Sequence, residues 1–337
     1  MLKILENFSL NNYNTFHIEA KTKYFCAPED VSQLRSLIKG DLKKYTHHMI
    51  LGGGSNVLFT SDYKGLIIHP NLQGKEQIDE DRENCWVKVA AGEDWDEFVG
   101  WTVQQGWYGL ENLSLIPGNA GASPIQNIGA YGREVKDTIL WVEYMNKNTG
   151  NLEILKNKDC AFGYRDSIFK RQSDKNFIIT AVVFKLSKHP LLHLEYGRLK
   201  EKLEGYKKLT NKNVREAVIE IRESKLPDPE EFGNAGSFFK NPVVSNLKFG
   251  ELQQDYPGIP HYKLDNGKIK IPAAWLIDSL GWKGHKKGTV GVHKNQALVL
   301  INFGGATGDE VLGLAKEIQE SVKEKYQLEM EMEVNII

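Results

Sequence analysis

Residues 112–132, NLSLIPGNAGASPIQNIGAYG, carry no charged side chain across 21 positions, in a chain whose residues are 26% charged. Four glycines, two prolines and three asparagines make the stretch unfit for a helix or an ordinary strand. Loops at a protein surface are normally charged, and a long loop without regular structure is usually functional or disordered. Glycines here would let backbone N–H groups close around a diphosphate, and the apolar residues would suit a flat ring. Taken alone, the stretch fits a structural loop and a cofactor loop about equally.

The 337 residues predict two or three domains at about 150 residues per domain. A net charge of -1 argues against a general nucleic-acid binder, which needs a basic excess to neutralise phosphates. Cys26, Cys85 and Cys160 form no C-x-x-C pair and cannot all be paired, so a reducing cytoplasm is the expected location. Glu6 interrupts the N-terminus before an apolar run can form, and no stretch supplies the roughly 20 apolar residues of a membrane span. Neither secretion nor membrane insertion is expected.

Sequence periodicity and caps set out the elements. Residues 50–59, ILGGGSNVLF, read as strand, glycine turn and strand, with GLIIHP as another strand. WVKVAAGE precedes a helix over 94–105 that Asp94 caps. A hairpin is expected over 138–156 around KNTG, and FIITAVVFKL reads as a buried strand. After a polar linker, Val214, Ala217, Val218 and Ile221 mark one face of a helix over 213–224. Further elements are a helix opened by Pro272, a strand QALVLINF, and a helix over 308–326 capped by Thr307 and Glu310. Alternation in LEMEMEVNII predicts a half-buried final strand.

Several segments could carry chemistry. LGGGSN at 51–56 is a second backbone anion site, but it lacks G-x-G-x-x-G spacing and leads into a strand, which disfavours a nicotinamide Rossmann domain. GYRDS offers Arg165 either as a fork for a carboxylate or phosphate or as a surface ion pair with Asp166. Residues 222–242 combine Arg222, Lys225, Lys240, Ser237 and Asn241 with two glycines, suiting either an anionic substrate or a plain linker. Ser237 has no G-x-S-x-G context, so a hydrolase nucleophile is not expected. The Asp94-Trp95-Asp96 triplet reads as a helix start, and no metal site is expected because no Cys/His ligand spacing occurs. By residue chemistry alone, Glu333 is one of three solvated carboxylates on the last strand.

Taken in order, NTF, LGGGSNVLF, SLIPGNAGASPIQNIGAYG, GYRDSIFK, SKLPDP, GNAGSFFKNP, PAAWLIDSLGWKG, HKNQALVLIN and MEVNII resemble the UDP-N-acetylenolpyruvoylglucosamine reductase (MurB) family over nearly the whole chain. That resemblance implies an α+β protein: a vanillyl-alcohol-oxidase/PCMH-type FAD-binding region of two lobes, then a C-terminal α+β substrate-binding domain. Lobes are expected at 1–70 and 71–209, a substrate domain at 210–327, and a terminal strand at 328–337 that returns to the active site. It further implies FAD as cofactor, NADPH as co-substrate and UDP-N-acetylglucosamine enolpyruvate as substrate, with no nucleic acid or membrane partner.

Site residues follow from the same resemblance. Ser237 would protonate the substrate, with Arg165 and Glu333 flanking its carboxylate. Gly53, Gly54, Ser55, Asn56, Ser123, Gly129 and Arg222 match flavin positions. Tyr196 matches the tyrosine of the extra loop that closes over the nucleotide, and Lys225, Asn241, Tyr262, Lys270 and Gln296 match positions for the UDP-sugar. Asn335 stands where many members carry arginine. Two other readings are an oxidase that passes electrons to oxygen and a non-catalytic UDP-sugar-binding protein; the substrate-domain motifs argue against the first.

Overall fold

The computed structural model describes residues 2–171, 176–195, 197–264 and 266–337. The chain packs as two compact units, and both are discontinuous in sequence. The first comprises Met1–Phe8, Thr22–Gly53 and Lys64–Arg222, and the second Ser9–Lys21, Gly54–Tyr63 and Glu223–Ile337.

Two sheets build the first unit. A four-stranded sheet runs in the order Leu5–Ser9, Lys21–Cys26, Tyr63–Ile68, His48–Ile50, its last pair parallel. The five-stranded sheet is antiparallel, in the order Leu152–Lys156, Ile139–Asn146, Phe177–Ser187, Asn84–Ala90, Lys75–Glu80. The apolar run FIITAVVFKL becomes its central strand and is buried continuously from Ile178 to Phe184. Asp94 Oδ1 accepts from Glu97 N at 2.9 Å and so starts the helix Trp95–Gln104. That helix turns Trp95, Phe98 and Val99 inward, and both aromatics lie within 6 Å of the Phe184 ring centroid, at 5.9 and 5.4 Å. Burying three large side chains of this kind stabilises the unit by several kcal/mol, at about 1.5–3 kcal/mol each. Asn211–Lys225 closes the unit, its Val214, Ala217, Val218 and Ile221 stripe packed with Leu199 and Leu203.

The second unit centres on the helix Gly308–Tyr326. Thr307 and Glu310 form the reciprocal capping box expected from sequence. Val311, Leu314, Ala315, Ile318 and Val322 enter a core with Phe238, Phe239, Leu276 and Ile277. No helix among the described residues is long and apolar enough to cross a membrane. All three cysteines are buried and free.

The units cut across the boundaries read from sequence. The two lobes expected at 1–70 and 71–209 lie in one unit, which continues to Arg222, while 9–21 and 54–63 belong to the other. Packing explains the exchange: Phe16, Ile18 and Leu58 are core residues of the second unit, and Asn302 Nδ2 donates to Phe16 O across 286 positions. The strand expected over QALVLINF shortens to Leu300–Asn302, because Gln296 to Val299 form a turn in which Val299 N donates to Gln296 O. In LEMEMEVNII the buried and exposed positions alternate through Met330, as expected, but only Asn335–Ile336 forms a strand, parallel to Val57–Leu58.

Replacing Thr307 by Ala removes the cap of the central helix of the second unit. The expected cost is about 1 kcal/mol in urea unfolding; an unchanged midpoint would show that packing alone holds this helix end.

Candidate active site

The uncharged loop is held from below by the segment that precedes it. Gly121 N donates to Ala91 O at 3.0 Å, Ala120 N to Glu93 O at 2.8 Å, and Trp95 N to Gly118 O at 2.9 Å. Side chains complete the set: Asn119 Nδ2 donates to Gly92 O at 2.8 Å and Trp95 Nε1 to Leu113 O at 2.9 Å. Contact is so close that a Cβ on Gly121 would fall 2.5 Å from Ala91 Cβ. Leu115, Asn127 and Tyr131 hold positive φ of 58°, 48° and 48°. Three non-glycine residues in the left-handed region within one loop are costly, and such strain collects at functional sites.

Arg165 belongs to this assembly. Its own φ is 51°, and it occupies a tight turn in which Gly163 N donates to Asp166 O at 2.9 Å. Asp166 pairs with Arg171 at 2.6 Å. Arg165 Nη2 donates to Gly129 O at 2.7 Å, and the guanidinium lies 5.6 Å from the Tyr164 ring centroid. Buried Asn127 ties the two segments, donating to Gly163 O at 2.9 Å and to Glu134 Oε2 at 3.1 Å. Arg165 and Gly129, 36 positions apart, are thus brought together.

Gly53 and Gly54 end one unit and begin the other. A Cβ on Gly53 would lie 3.0 Å from Gly118 Cα and 3.1 Å from Asn119 Oδ1. Gly54 has φ of 66°, and its Cβ would fall 2.0 Å from Tyr13 O, so no other residue fits. Asn119 Oδ1 is buried without a hydrogen-bond partner among the described residues. A glycine-lined backbone beside an orphaned acceptor fits a ligand with both phosphate oxygens and donor groups, as FAD has. Ser123, by contrast, turns its hydroxyl into its own loop, donating to Ala120 O at 2.7 Å.

Half-buried Arg222 donates from Nε to Leu115 O at 3.2 Å. Burial pushes its pKa down, opposed by Tyr131 and Asp96, and a guanidinium nonetheless keeps its proton. Asp96, on the first turn of the helix Trp95–Gln104, accepts from Leu115 N at 2.5 Å and from both Arg215 terminal nitrogens at 2.6 and 2.8 Å. Burial alone would raise its pKa, but Arg215, the Leu115 N–H and the charge of Arg222 hold it below the usual carboxylate range.

In the second unit the segment 237–240 lies between two others. Ser237 bridges Val299, Phe238 N donates to Leu298 O at 2.8 Å, and on the other side Glu333 N donates to Phe238 O at 2.8 Å. The fold therefore brings Ser237 and Glu333 onto neighbouring chains. Asn56 fixes Glu333 further, its Nδ2 donating to Glu333 O at 3.2 Å while its carbonyl accepts from Asn335 N at 3.1 Å and Nδ2 at 2.9 Å. Asn335, where the resemblance led one to expect arginine, is thus a backbone clamp. Asn241 Oδ1 caps the next helix by accepting from Ala273 N at 2.9 Å. Tyr262 and Lys270 are cross-strand partners, with Lys270 Nζ 5.6 Å from the ring centroid. Gln296 accepts from Leu298 N at 3.3 Å. Lys225 and Ser55 are half-buried in the same unit. Tyr196 lies outside the described residues.

Comparison with known proteins decides the family. Residues 228–337 match the family model described as UDP-N-acetylenolpyruvoylglucosamine reductase, C-terminal domain, and residues 22–156 match an FAD binding domain. A UDP-N-acetylenolpyruvoylglucosamine reductase of Flavobacterium johnsoniae is 48% identical over 339 residues, covering 100% of both chains. The chain belongs to this family. A Bacteroides fragilis reductase of the same name is 46% identical over 98% of this chain and 99% of its own. The crystal structure of the Thermus caldophilus reductase covers 100% of this chain and 98% of its own, with a TM-score of 0.68 at 22% identity, so it shares the fold. Membership makes the chain an FAD-carrying oxidoreductase of peptidoglycan precursor synthesis, with the α+β, two-lobed flavin-binding architecture expected from sequence. Reading the residues in isolation passed over Asp96, Arg215, Asn119 and Asn127. One signal was available for Arg215: it precedes Arg222 by seven positions, which puts both on one face of their helix.

Two outcomes follow. Gly54→Ala should yield protein that retains little or no FAD, measured by absorbance after gel filtration; full flavin content would dissociate this turn from the cofactor. Because the Asp96 pKa is lowered by folding, its stabilisation is complete above the unfolded value of about 3.9 and is lost as pH falls through the folded one. Acid unfolding of Asp96→Asn should accordingly show a shallower loss of stability below about pH 4 than the parent chain.

Proposed function

We propose that this chain reduces the enolpyruvyl ether of UDP-N-acetylglucosamine to UDP-N-acetylmuramate in the cytoplasm, taking electrons from NADPH, with Ser237 as the proton donor. The family assignment makes the reaction class plain, and the electron donor, the acid and the individual contacts are the added reading. The observation that carries it is the juxtaposition of Ser237 and Glu333, 96 positions apart, through the 2.8 Å bond from Glu333 N to Phe238 O.

When bound, FAD would supply the two-electron hydride chemistry between NADPH and the terminal carbon of the substrate double bond. The chain supplies the rest. Ser237 gives its proton to the neighbouring carbon, and cationic Lys225 is the group we assign to easing that release, since an unperturbed hydroxyl is a poor acid. Arg165 and Glu333 flank the substrate carboxylate, next to which negative charge accumulates. A guanidinium already fixed by Gly129 O can meet that charge without reorganising, which is how preorganised donors lower a barrier. For the cofactor, Gly53, Gly54, Ser55, Asn56, Gly129 and Arg222 are the proposed contacts, with Ser123 acting through the loop it stiffens. Tyr196, Lys225, Asn241, Tyr262, Lys270 and Gln296 are proposed to bind the UDP-sugar, cations meeting its diphosphate.

Purified protein should be yellow, bleach with NADPH, and regain colour anaerobically when the enolpyruvyl nucleotide is added. A colourless protein rejects the flavin assignment, and recolouring only with oxygen favours an oxidase. Ser237→Ala should still be bleached by NADPH at the parent rate, while substrate-driven reoxidation slows by about 10²–10⁴-fold, the range for losing a positioned acid. Unimpaired reoxidation in that variant removes Ser237 from the acid role.

A further inference from the structure

Asp96 and Arg215 lie outside every role assigned above, yet they converge on the strained point of the uncharged loop. Leu115 has φ of 58° and is gripped on both of its backbone groups: Asp96 Oδ1 accepts from its N–H, and Arg222 Nε donates to its carbonyl. Asp96 in turn receives both terminal nitrogens of Arg215, a bidentate pair whose side chains are only 25% and 18% exposed. Arg215 and Arg222 project from one face of the helix Asn211–Lys225, one at each end of the grip. The backbone of Leu115 is left-handed without being glycine, so it persists only where its surroundings impose it.

We propose that Asp96 and Arg215 are positioning residues for the flavin loop. Their ion pair holds Leu115 in its left-handed turn and thereby sets where Arg222 and residues 113–121 stand toward FAD. The proposal rests on the reading of this loop and Arg222 as flavin contacts. A structural brace alone would be expected to hold the helix Asn211–Lys225 against the helix Trp95–Gln104. The present one does more, because Asp96 Oδ1 is shared between Arg215 and the loop N–H, so loosening the pair loosens the loop. Bidentate guanidinium–carboxylate geometry is also the arrangement best suited to transmit orientation, since two parallel bonds fix both planes.

The test compares holoenzymes of the parent chain, Asp96→Ala, Arg215→Ala, the double variant and Asp96→Asn, which keeps an oxygen for Leu115 N–H. Three quantities are read: the rate at which FAD is released into ultrafiltrate, the visible spectrum of bound flavin, and the thermal midpoint. Thr307→Ala, in the other unit, controls for loss of stability alone. Asp96→Ala should release FAD about tenfold faster or more, the equivalent of one charge-assisted hydrogen bond, with an altered flavin band. The double variant should be no worse than Asp96→Ala, and Asp96→Asn should lie between it and the parent chain. FAD release and spectra that match the parent chain, or that change no more than in an equally destabilised Thr307→Ala, overturn the proposal. If Asp96→Ala does not fold, Arg215→Ala decides by the same two readouts, faster release with a changed band supporting the proposal and parent-like behaviour overturning it. A parent chain that holds no flavin would reject the loop reading itself before any variant is compared.

Discussion

Residues 91–96 act as a template for the loop that follows them. The stretch pairs some of its backbone groups internally, as Ser123 N does with Ala120 O and Ile128 N with Ser123 O, but others need partners outside it, and buried N–H and C=O groups left unpaired cost about 1–3 kcal/mol each. Carbonyls of Ala91 and Glu93, the N–H groups of Trp95 and the Asp96 carboxylate meet that demand, and the Gly92 carbonyl holds the Asn119 side chain. Because these partners sit at the start of a helix anchored by Trp95 and Phe98 in the core, the loop inherits the rigidity of the helix. Arg165, attached to Gly129 O, and Arg222, attached to Leu115 O, are oriented by the same loop.

The second unit solves a different problem with the same means. Ser237 has no capping or turn motif that would lend it chemistry, and it acquires its setting from Val299 on one side and the terminal segment on the other. Asn56 then holds the terminal segment by both ends of the Glu333–Asn335 stretch. The glycine turn thus does double duty. Its first residues face Gly118 and Asn119 in one unit, and the residues that follow it clamp Glu333 in the other. Asn335, where the resemblance implies arginine, takes part in this arrangement, its amide donating to Asn56 O at 2.9 Å.

Much of the fold was legible in the chain. Asp94, Thr307 and Pro272 start helices at the expected positions, the hairpin around KNTG forms, and FIITAVVFKL is buried from Ile178 to Phe184. The strand expected over QALVLINF was too long, since a turn closed by Val299 N and Gln296 O competes with extension and contact with Ser237 favours it. Ser123, matched to a flavin contact by resemblance, donates its hydroxyl to Ala120 O and keeps its oxygen as an acceptor. The exchange of 9–21 and 54–63 between units left no local mark, because Phe16 and Leu58 look like ordinary core residues wherever they pack.

Periodicity, caps and glycine runs act over a few residues, so the sequence by itself determined the elements, the uncharged loop and the ordered motifs of a flavin reductase. Tertiary structure alone decided which distant groups meet. Asp96 with Arg215 across 119 positions, Arg165 with Gly129 across 36, and Glu333 beside Ser237 are products of packing. The physical reason is that a hydrogen bond or ion pair is specified by distance and direction, which a linear pattern does not contain, whereas helix and strand are specified by neighbours that it does.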